Sequence, residues 1–332
     1  MDQEALDATM ARFARSFMPF AHEAQERVER EHVRFVHYTS AESGLKILQS
    51  GRMLLRNATL MNDFSEIEYG MRCLDASYAG PDGLRLQAMM KEVQTDLPSI
   101  FQNNFSSFAN DLRHETYLTS ISEHEIGHED EFGRLSMWRA YAQRNGIAFV
   151  MNNTPFVSPT NALQAYTSPV MYASPAEFAT AFKDVVNRVE GIFSELRTFG
   201  GQWFHNLVEH AFRVAVLSTK HPSFMEEREW RIIYTPTILQ RAGDLDERQL
   251  ERIPTEIMCL NGVPQRVYAI PFRDYPDEGF NGATIPAIVD RILIGPTQDA
   301  YAIAQAFVAE LTRLEVPDAE KKVLITGIPL RQ

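Results

Sequence analysis

The sequence predicts an α+β protein. Short β-branched and aromatic runs are dispersed along the chain, at 33–40, 53–56, 117–121, 147–151, 230–234, 257–260, 266–272, 292–294 and 323–325. Between them lie longer stretches whose apolar residues recur every three or four positions, notably 84–113 and 175–218. No internal repeat or low-complexity segment interrupts this pattern.

The elements follow in order. Residues 2–32 carry Leu6, Met10, Phe13, Phe17 and Phe20 at helical spacing, with Pro19 as an interruption. Val33 to Ser40 reads as a strand. Ser40 can cap a helix over 41–50, and Gly51 can stop it. A strand over 53–56 leads to a polar loop, and Asp63 with Glu66 forms a capping box for a helix over 64–75. Gly80-Pro81-Asp82-Gly83 breaks the chain before a helix over 84–113, interrupted at Pro98. A strand over 117–121, an acidic loop over 122–130 and a helix over 132–144 come next, and Asn145-Gly146 ends that helix. The strand 147–151 is apolar throughout and hence buried. One strand is expected within 165–171, then two helices divided at Gly200-Gly201. Residues 240–252 are polar. Asn261-Gly262 joins two strands as a hairpin, and a strand at 292–294, a helix over 300–314 and a strand at 323–325 complete the chain. The expected organisation is an N-terminal helical extension, 1–32, and one α+β domain, 33–332, with helical inserts at about 84–113 and 175–218.

Composition narrows the function classes. The 332 residues are 45% hydrophobic and 23% charged, the balance of a folded soluble protein, and hold no apolar run long enough to cross a bilayer. The acidic start lacks the basic and apolar regions of a signal peptide. Only Cys73 and Cys259 are present, far apart, which disfavours a disulfide framework or a cysteine-rich metal site and fits a cytoplasmic protein. A net charge of −12 argues against non-specific nucleic-acid binding.

The densest group of functional side chains is F-M-E-E-R-E-W-R-I-I-Y, Phe224 to Tyr234. Taken as a strand, it sends Glu227, Glu229, Arg231 and Ile233 to one face and Arg228, Trp230, Ile232 and Tyr234 to the core. Two carboxylates held on a rigid strand have separable pKa values, the basis of acid/base and cation-stabilising sites. A helix end with Glu227 and Arg231 as an i,i+4 ion pair is the competing reading, and the β-branched and aromatic run favours the strand. His37, in His37-Tyr38-Thr39, lies near the end of a strand, and the following helix and Gly51 turn the chain back beside it. A structural core histidine is the simpler reading of His37 alone.

Seven blocks in order carry a resemblance: H-Y-T-S at 37–40, I-L-x-S-G at 47–51, L-M-N-D-x-x-E at 60–66, M-W-x-x-Y at 137–141, G-I-A-F at 146–149, Lys220 through E-x-E-W-R ending at Arg231, and I-x-I-G-P at 292–296. Together they resemble the bacterial DUF2971 proteins, a family of largely uncharacterised function. The first and last-but-one blocks are also similar, more remotely, to ADP-ribosyltransferases and RNA 2′-phosphotransferases. That resemblance implies a split mixed or antiparallel sheet, NAD as substrate, and a place in a toxin or phage-defence system. It implies that His37, with Tyr38 and Thr39, holds the adenosine-side ribose, and that Glu227-Arg228-Glu229 supplies the catalytic carboxylates. Tyr38 stands where the family has a small residue. Tyr69 and Trp138 are the candidates for shaping the nicotinamide pocket.

The implied chemistry is coherent with the side chains. Cleavage of the nicotinamide–ribose bond passes through an oxocarbenium-like state, which Glu229 would stabilise while Glu227 deprotonates an acceptor. Arg56, Lys220 and Arg231 would pair with pyrophosphate. Asn62 is a candidate ligand beside its capping neighbour Asp63. The acceptor, a macromolecule or water, is left open. Such a site requires His37 and Glu229 to line one cleft, about 10 Å apart.

Two other readings remain. His124-Glu125-Ile126-Gly127-His128 is a literal H-E-x-x-H, which on a helix would place two imidazoles on a metal with the glutamate as base of a hydrolase. Gly127 within it and the acidic flanks favour a solvated loop, so no metal is expected. A non-catalytic module that binds a nucleotide or partner would keep the cleft and lock Glu227 and Glu229 in ion pairs.

Overall fold

Alternating and apolar runs form strands where the sequence places them, and the strands are numbered here in chain order. A computed structural model describes residues 3–60, 64–142, 144–242, 247–260 and 262–329. The strands are β1 (Arg34–Ser40), β2 (Arg52–Asn57), β3 (Tyr117–His124), β4 (Gly146–Met151), β5 (Tyr166–Pro169), β6 (Met171–Tyr172), β7 (Thr219–Lys220), β8 (Glu229–Tyr234), β9 (Thr255–Leu260), β10 (Val263–Pro271), β11 (Val289–Ile294) and β12 (Val323–Ile325). The chain divides into two compact units, one of 1–25, 58–116 and 168–225, the other of 26–57, 117–167 and 226–332.

The first unit is helical. It gathers Gln3–Phe17, the start of Pro19–Arg30, Phe64–Tyr78, Pro81–Val93, Leu97–His114, Pro175–Leu196 and Gly201–Leu217. The stretches expected as an N-terminal extension and as helical inserts thus contribute to one body. Its core is aromatic: the Phe212 ring meets Phe101 at 5.2 Å and Tyr78 at 5.3 Å, edge to face in both cases. Pro81 and Pro98 lie in the first turns of their helices, where a missing N–H leaves no hydrogen bond unmade. The long helix expected over 84–113 therefore begins at Pro81 and breaks at 94–96, not at Pro98. Gly83 belongs inside a helix because a Cβ there would meet the Tyr78 carbonyl oxygen at 1.9 Å.

The second unit is built on a sheet of order β12-β11-β4-β1-β3-β2-β10-β9, antiparallel except for the parallel β11–β12 pair. β8 lies on the remaining edge of β3, from Ser122 opposite Glu229 to Tyr117 opposite Tyr234. One edge of β3 is shared by two strands. β1 pairs with it only from Arg34 opposite His124 to Val36 opposite Ser122, and β2 only at Arg56–Leu118 and Asn57–Tyr117. Beyond Val36, β1 runs on to Ser40 against β4 alone. The sheet therefore parts along the middle of β3, and the helix Ala41–Ser50 joins the two diverging strands. Ser40 caps that helix by accepting from the Ser43 N–H, and Gly51 ends it with φ +62°.

Directly opposed residues share a face. Val36, Ser122 and Glu229 form one row, and Tyr38, Ser120 and Arg231 lie on the same side. The helix Leu135–Tyr141 covers this face, with Trp138 packed among Val36, Tyr38, Ala148, Val150 and Leu293. Phe35, Phe149 and Trp230 occupy the other face, where the Phe35 and Trp230 rings meet at 5.2 Å.

Three expectations are corrected here. β3 continues three residues past Ile121, because Ser122 and His124 keep the alternation and are buried. The helix expected over 132–144 is two, His128–Phe132 and Leu135–Tyr141, parted at Gly133 with φ +63°. The polar region 240–252 includes helix at Pro236–Ala242 and Glu247–Arg252.

Candidate functional site

His37 stands where β1 and β3 part. Its Nδ1 lies 3.0 Å from the Ser120 carbonyl oxygen, the hydrogen bond that the ladder no longer makes. Burial lowers its pKa, and the bond to Ser120 offsets this only in part. Ser120 also donates its hydroxyl to Glu229 Oε1 at 2.6 Å. One residue of β3 thus holds the histidine through its carbonyl and the glutamate through its side chain. The ladder places Glu229 on the face opposite to that of a regularly alternating His37, so the two do not share one face of the sheet as the expected cleft requires, and the connection between them runs through Ser120.

Glu229 is buried and takes the Arg231 Nε at 2.8 Å. The two share a face, as their spacing predicts, but that face is covered, and Arg231 is fully buried. Arg231 is therefore a partner of Glu229 and not an exposed cation for pyrophosphate, since β8 is buried along its whole length. Glu227 is not on the strand. It ends a 3-10 turn, Pro222–Glu227, and Arg228 at φ +45° reverses the chain before Glu229. Glu227 Oε1 accepts from the half-exposed Tyr141 hydroxyl at 2.9 Å. The two carboxylates thus occupy different settings, Glu229 buried beside Ser120 and Arg231, and Glu227 partly accessible beside Tyr141.

Arg134 fixes this arrangement. Its guanidinium donates to the carbonyls of Glu226 at 2.7 Å, Glu227 at 3.2 Å and Glu123 at 2.9 Å, and to the Glu129 carboxylate at 3.1 Å. Its N–H donates to the Tyr38 hydroxyl at 2.8 Å. Tyr38 in turn meets Trp138 edge to face at 4.9 Å, and burial raises its pKa to about 12. Arg228 pairs with Glu125 and Glu129. Burial pushes Glu129 up, but the Glu125 N–H together with Arg134 and Arg228 outweighs it and holds the carboxyl below its usual range. Ser120 and Arg134 are not among the residues that the sequence motifs point to. The signal for Ser120 is Ser120-Ile121-Ser122, polar residues alternating in an apolar strand. Arg134 falls within the stretch whose spacing predicts one continuous helix.

The remaining candidates are dispersed. Thr39 is half-buried opposite Ile147. Arg56 lies on β2 and donates to Gln265 Oε1 at 3.2 Å, with burial lowering its pKa. Lys220 belongs to the helical unit, is buried, and sets its ammonium 4.8 Å from the Phe224 ring centre. Tyr69 belongs to that unit too and donates to the Ala173 carbonyl at 2.7 Å. Trp138 is core, its indole N–H on the Phe132 carbonyl at 2.7 Å. Asn62 and the expected cap Asp63 lie outside the described residues.

The metal reading loses its geometric premise. His124 is the last residue of β3 and His128 the first of a later helix, so the two imidazoles do not share a helical turn. His124 faces Asp130 at 3.1 Å, Glu125 pairs with Arg228, and His128 packs on Phe132. Among the described residues no three His, Cys, Asp or Glu side chains are grouped to hold a metal ion.

Residues 137–232 match the family described as a protein of unknown function, DUF2971. The match covers less than a third of the chain. No curated protein and no solved structure matches it. The DUF2971 match begins at Met137-Trp138 and ends within Glu229-Trp230-Arg231-Ile232, so it spans both Tyr141 with Glu227 and the buried Glu229–Arg231 pair. Blocks beyond it pack on the same residues. A Cβ at Gly295, in the I-x-I-G-P block, would lie 2.7 Å from the Trp138 ring, and the Gly295 N–H bonds the Gly146 carbonyl at 2.9 Å. Among the described residues no helix is long and apolar enough to cross a membrane.

Proposed function

We propose that the parting of the sheet at His37 is a nucleotide site, and that this protein catalyses NAD-dependent ADP-ribosyl transfer or NAD hydrolysis there. The observation that carries the reading is the double use of Ser120, which ties the histidine at the gap to the carboxylate of Glu229. Glu229, held in place by Ser120 and Arg231, is set to stabilise an oxocarbenium-like state. Glu227, partly accessible beside Tyr141, is the group to deprotonate an acceptor. His37 and Thr39 face the adenosine-side ribose, and Arg56 pairs with pyrophosphate. The resemblance in the H-Y-T and E-x-E blocks supplies the substrate class and, with it, a role in a cytoplasmic toxin or phage-defence system.

A second reading rests on the buried Glu229–Arg231 pair. A carboxylate committed to a guanidinium in the core suits a module that binds a nucleotide or partner without chemistry. The two are separated by nicotinamide release from NAD, wild type beside Glu229→Gln, with NAD binding followed by calorimetry. Release that disappears in a folded Glu229→Gln protein supports the enzyme. Binding without release supports the module. Neither binding nor release overturns the NAD site.

A further inference from the structure

The helical unit contains a cavity of about 130 Å³, partly open to solvent, that the proposed function does not use. Its walls come from the break between the first two helices, at Phe17 and Phe20, and from Phe178, Phe182 and Phe212 on the two long helices. Alanines 181, 211 and 215 border it where larger residues would close it.

The few hydroxyls in the wall already donate to neighbours. Ser218 donates to Ser168 Oγ at 2.9 Å, and Ser168 lies 3.4 Å from the Pro169 carbonyl as its donor. Thr219 donates to the Ala215 carbonyl at 2.7 Å. Water in such a space would forgo the two to four polar partners that hold buried water, and apolar cavities of about 150 Å³ stay dry and admit benzene. We infer that this cavity is a binding site for a small uncharged hydrocarbon group, a six-membered aromatic ring or a branched alkyl of that size. A ligand that brings only an acceptor finds no donor among the wall hydroxyls, whose hydrogens are committed, so the site discriminates against acceptor-bearing analogues of the same shape.

The test is a titration of the full chain with benzene and with pyridine, a ring of the same shape whose nitrogen only accepts, read by the shift in melting temperature and by ligand-observed NMR. Saturable benzene binding, with pyridine at least about tenfold weaker, is expected because no wall hydroxyl has a hydrogen left for the ring nitrogen. Ala181→Leu fills the space, and benzene binding is lost while the melting temperature holds or rises. No saturable benzene binding by the wild type overturns the inference, as does pyridine binding equal to benzene, or benzene binding undiminished in a folded Ala181→Leu protein. The wild-type titration decides even where the variant fails to fold, and none of these outcomes depends on NAD.

Discussion

Replacing Glu229 and Arg231 singly and together measures what the buried pair contributes. At 2.8 Å and an effective dielectric constant near 20, their attraction is about 6 kcal/mol in gross terms. Removing two charges from water opposes this by several kcal/mol per ion, so the pair as a whole sits near balance. Breaking it does not. Glu229→Leu leaves a guanidinium in a position with 0% exposure, a loss of about 3–5 kcal/mol. Arg231→Met leaves the carboxylate with the Ser120 hydroxyl still donating, so its loss falls toward the lower end of that range. The double replacement, apolar on both sides, is expected to lie closer to wild type than either single variant. Urea unfolding followed by far-UV circular dichroism and by tryptophan fluorescence reads all four proteins, with two signals because the chain holds two compact units. A double variant whose loss equals the sum of the singles would refute the coupling, and single losses under about 1 kcal/mol would refute the burial argument.

Four further outcomes are expected. Ser120→Ala removes a charge-assisted hydrogen bond and should destabilise by about 1.5–3 kcal/mol, and under the proposed function it lowers nicotinamide release as well, which a purely structural serine would not do in folded protein. Gly83→Ala, which drives a Cβ into the Tyr78 carbonyl, should shift the urea midpoint down by the equivalent of about 1–3 kcal/mol. Stability should fall in acid: burial pushes Glu129, Asp130 and Asp290 up but is outweighed by N–H and arginine partners, so all three titrate lower in the fold than in the unfolded chain. The unfolded state then binds more protons, and their contribution, present above about pH 4.5, is lost as pH drops through the folded values. A histidine acts in a higher window: His210, lowered to about 4 by desolvation and then by the charges of Arg213 and His22, protonates more readily unfolded, so its contribution to stability declines as pH falls from about 6.5 toward 4, and Tm measured across that range checks it.

The strand positions were legible because their chemistry is local. Ser40 and Gly51 bracket a helix by capping alone, and the apolar run 147–151 can only be a buried strand. Trp230, Ile232 and Tyr234 fall on the core side as their alternation predicts. What failed depended on context. Whether the Glu229–Arg231 pair opens to solvent is decided by what packs over β8, which its own alternation does not carry. Glu227 left the strand because Arg228 adopts a left-handed backbone, which no arginine announces. The H-E-x-x-H string spans a strand end and a helix start, and only the continuation of β3 to His124 separates its two imidazoles. The blocks that resemble DUF2971, weak one by one, become intelligible through Trp138, which meets Tyr38 edge to face and occupies the space that Gly295 leaves.

The parting of the sheet also leaves a mark on exchange with solvent. Within a strand the N–H and C=O of one residue point to the same edge, so the Ser120 amide faces the gap along with the carbonyl that His37 bonds. Its neighbours Thr119 and Ile121 point into the ladder with β8, opposite Ile232 and Trp230. Deuterium should therefore enter at Ser120 ahead of the residues on either side, a single fast amide inside a protected strand. Any molecule that occupies the gap and shields that amide slows its exchange, which makes the backbone of Ser120 a reporter of occupancy that needs no knowledge of the reaction.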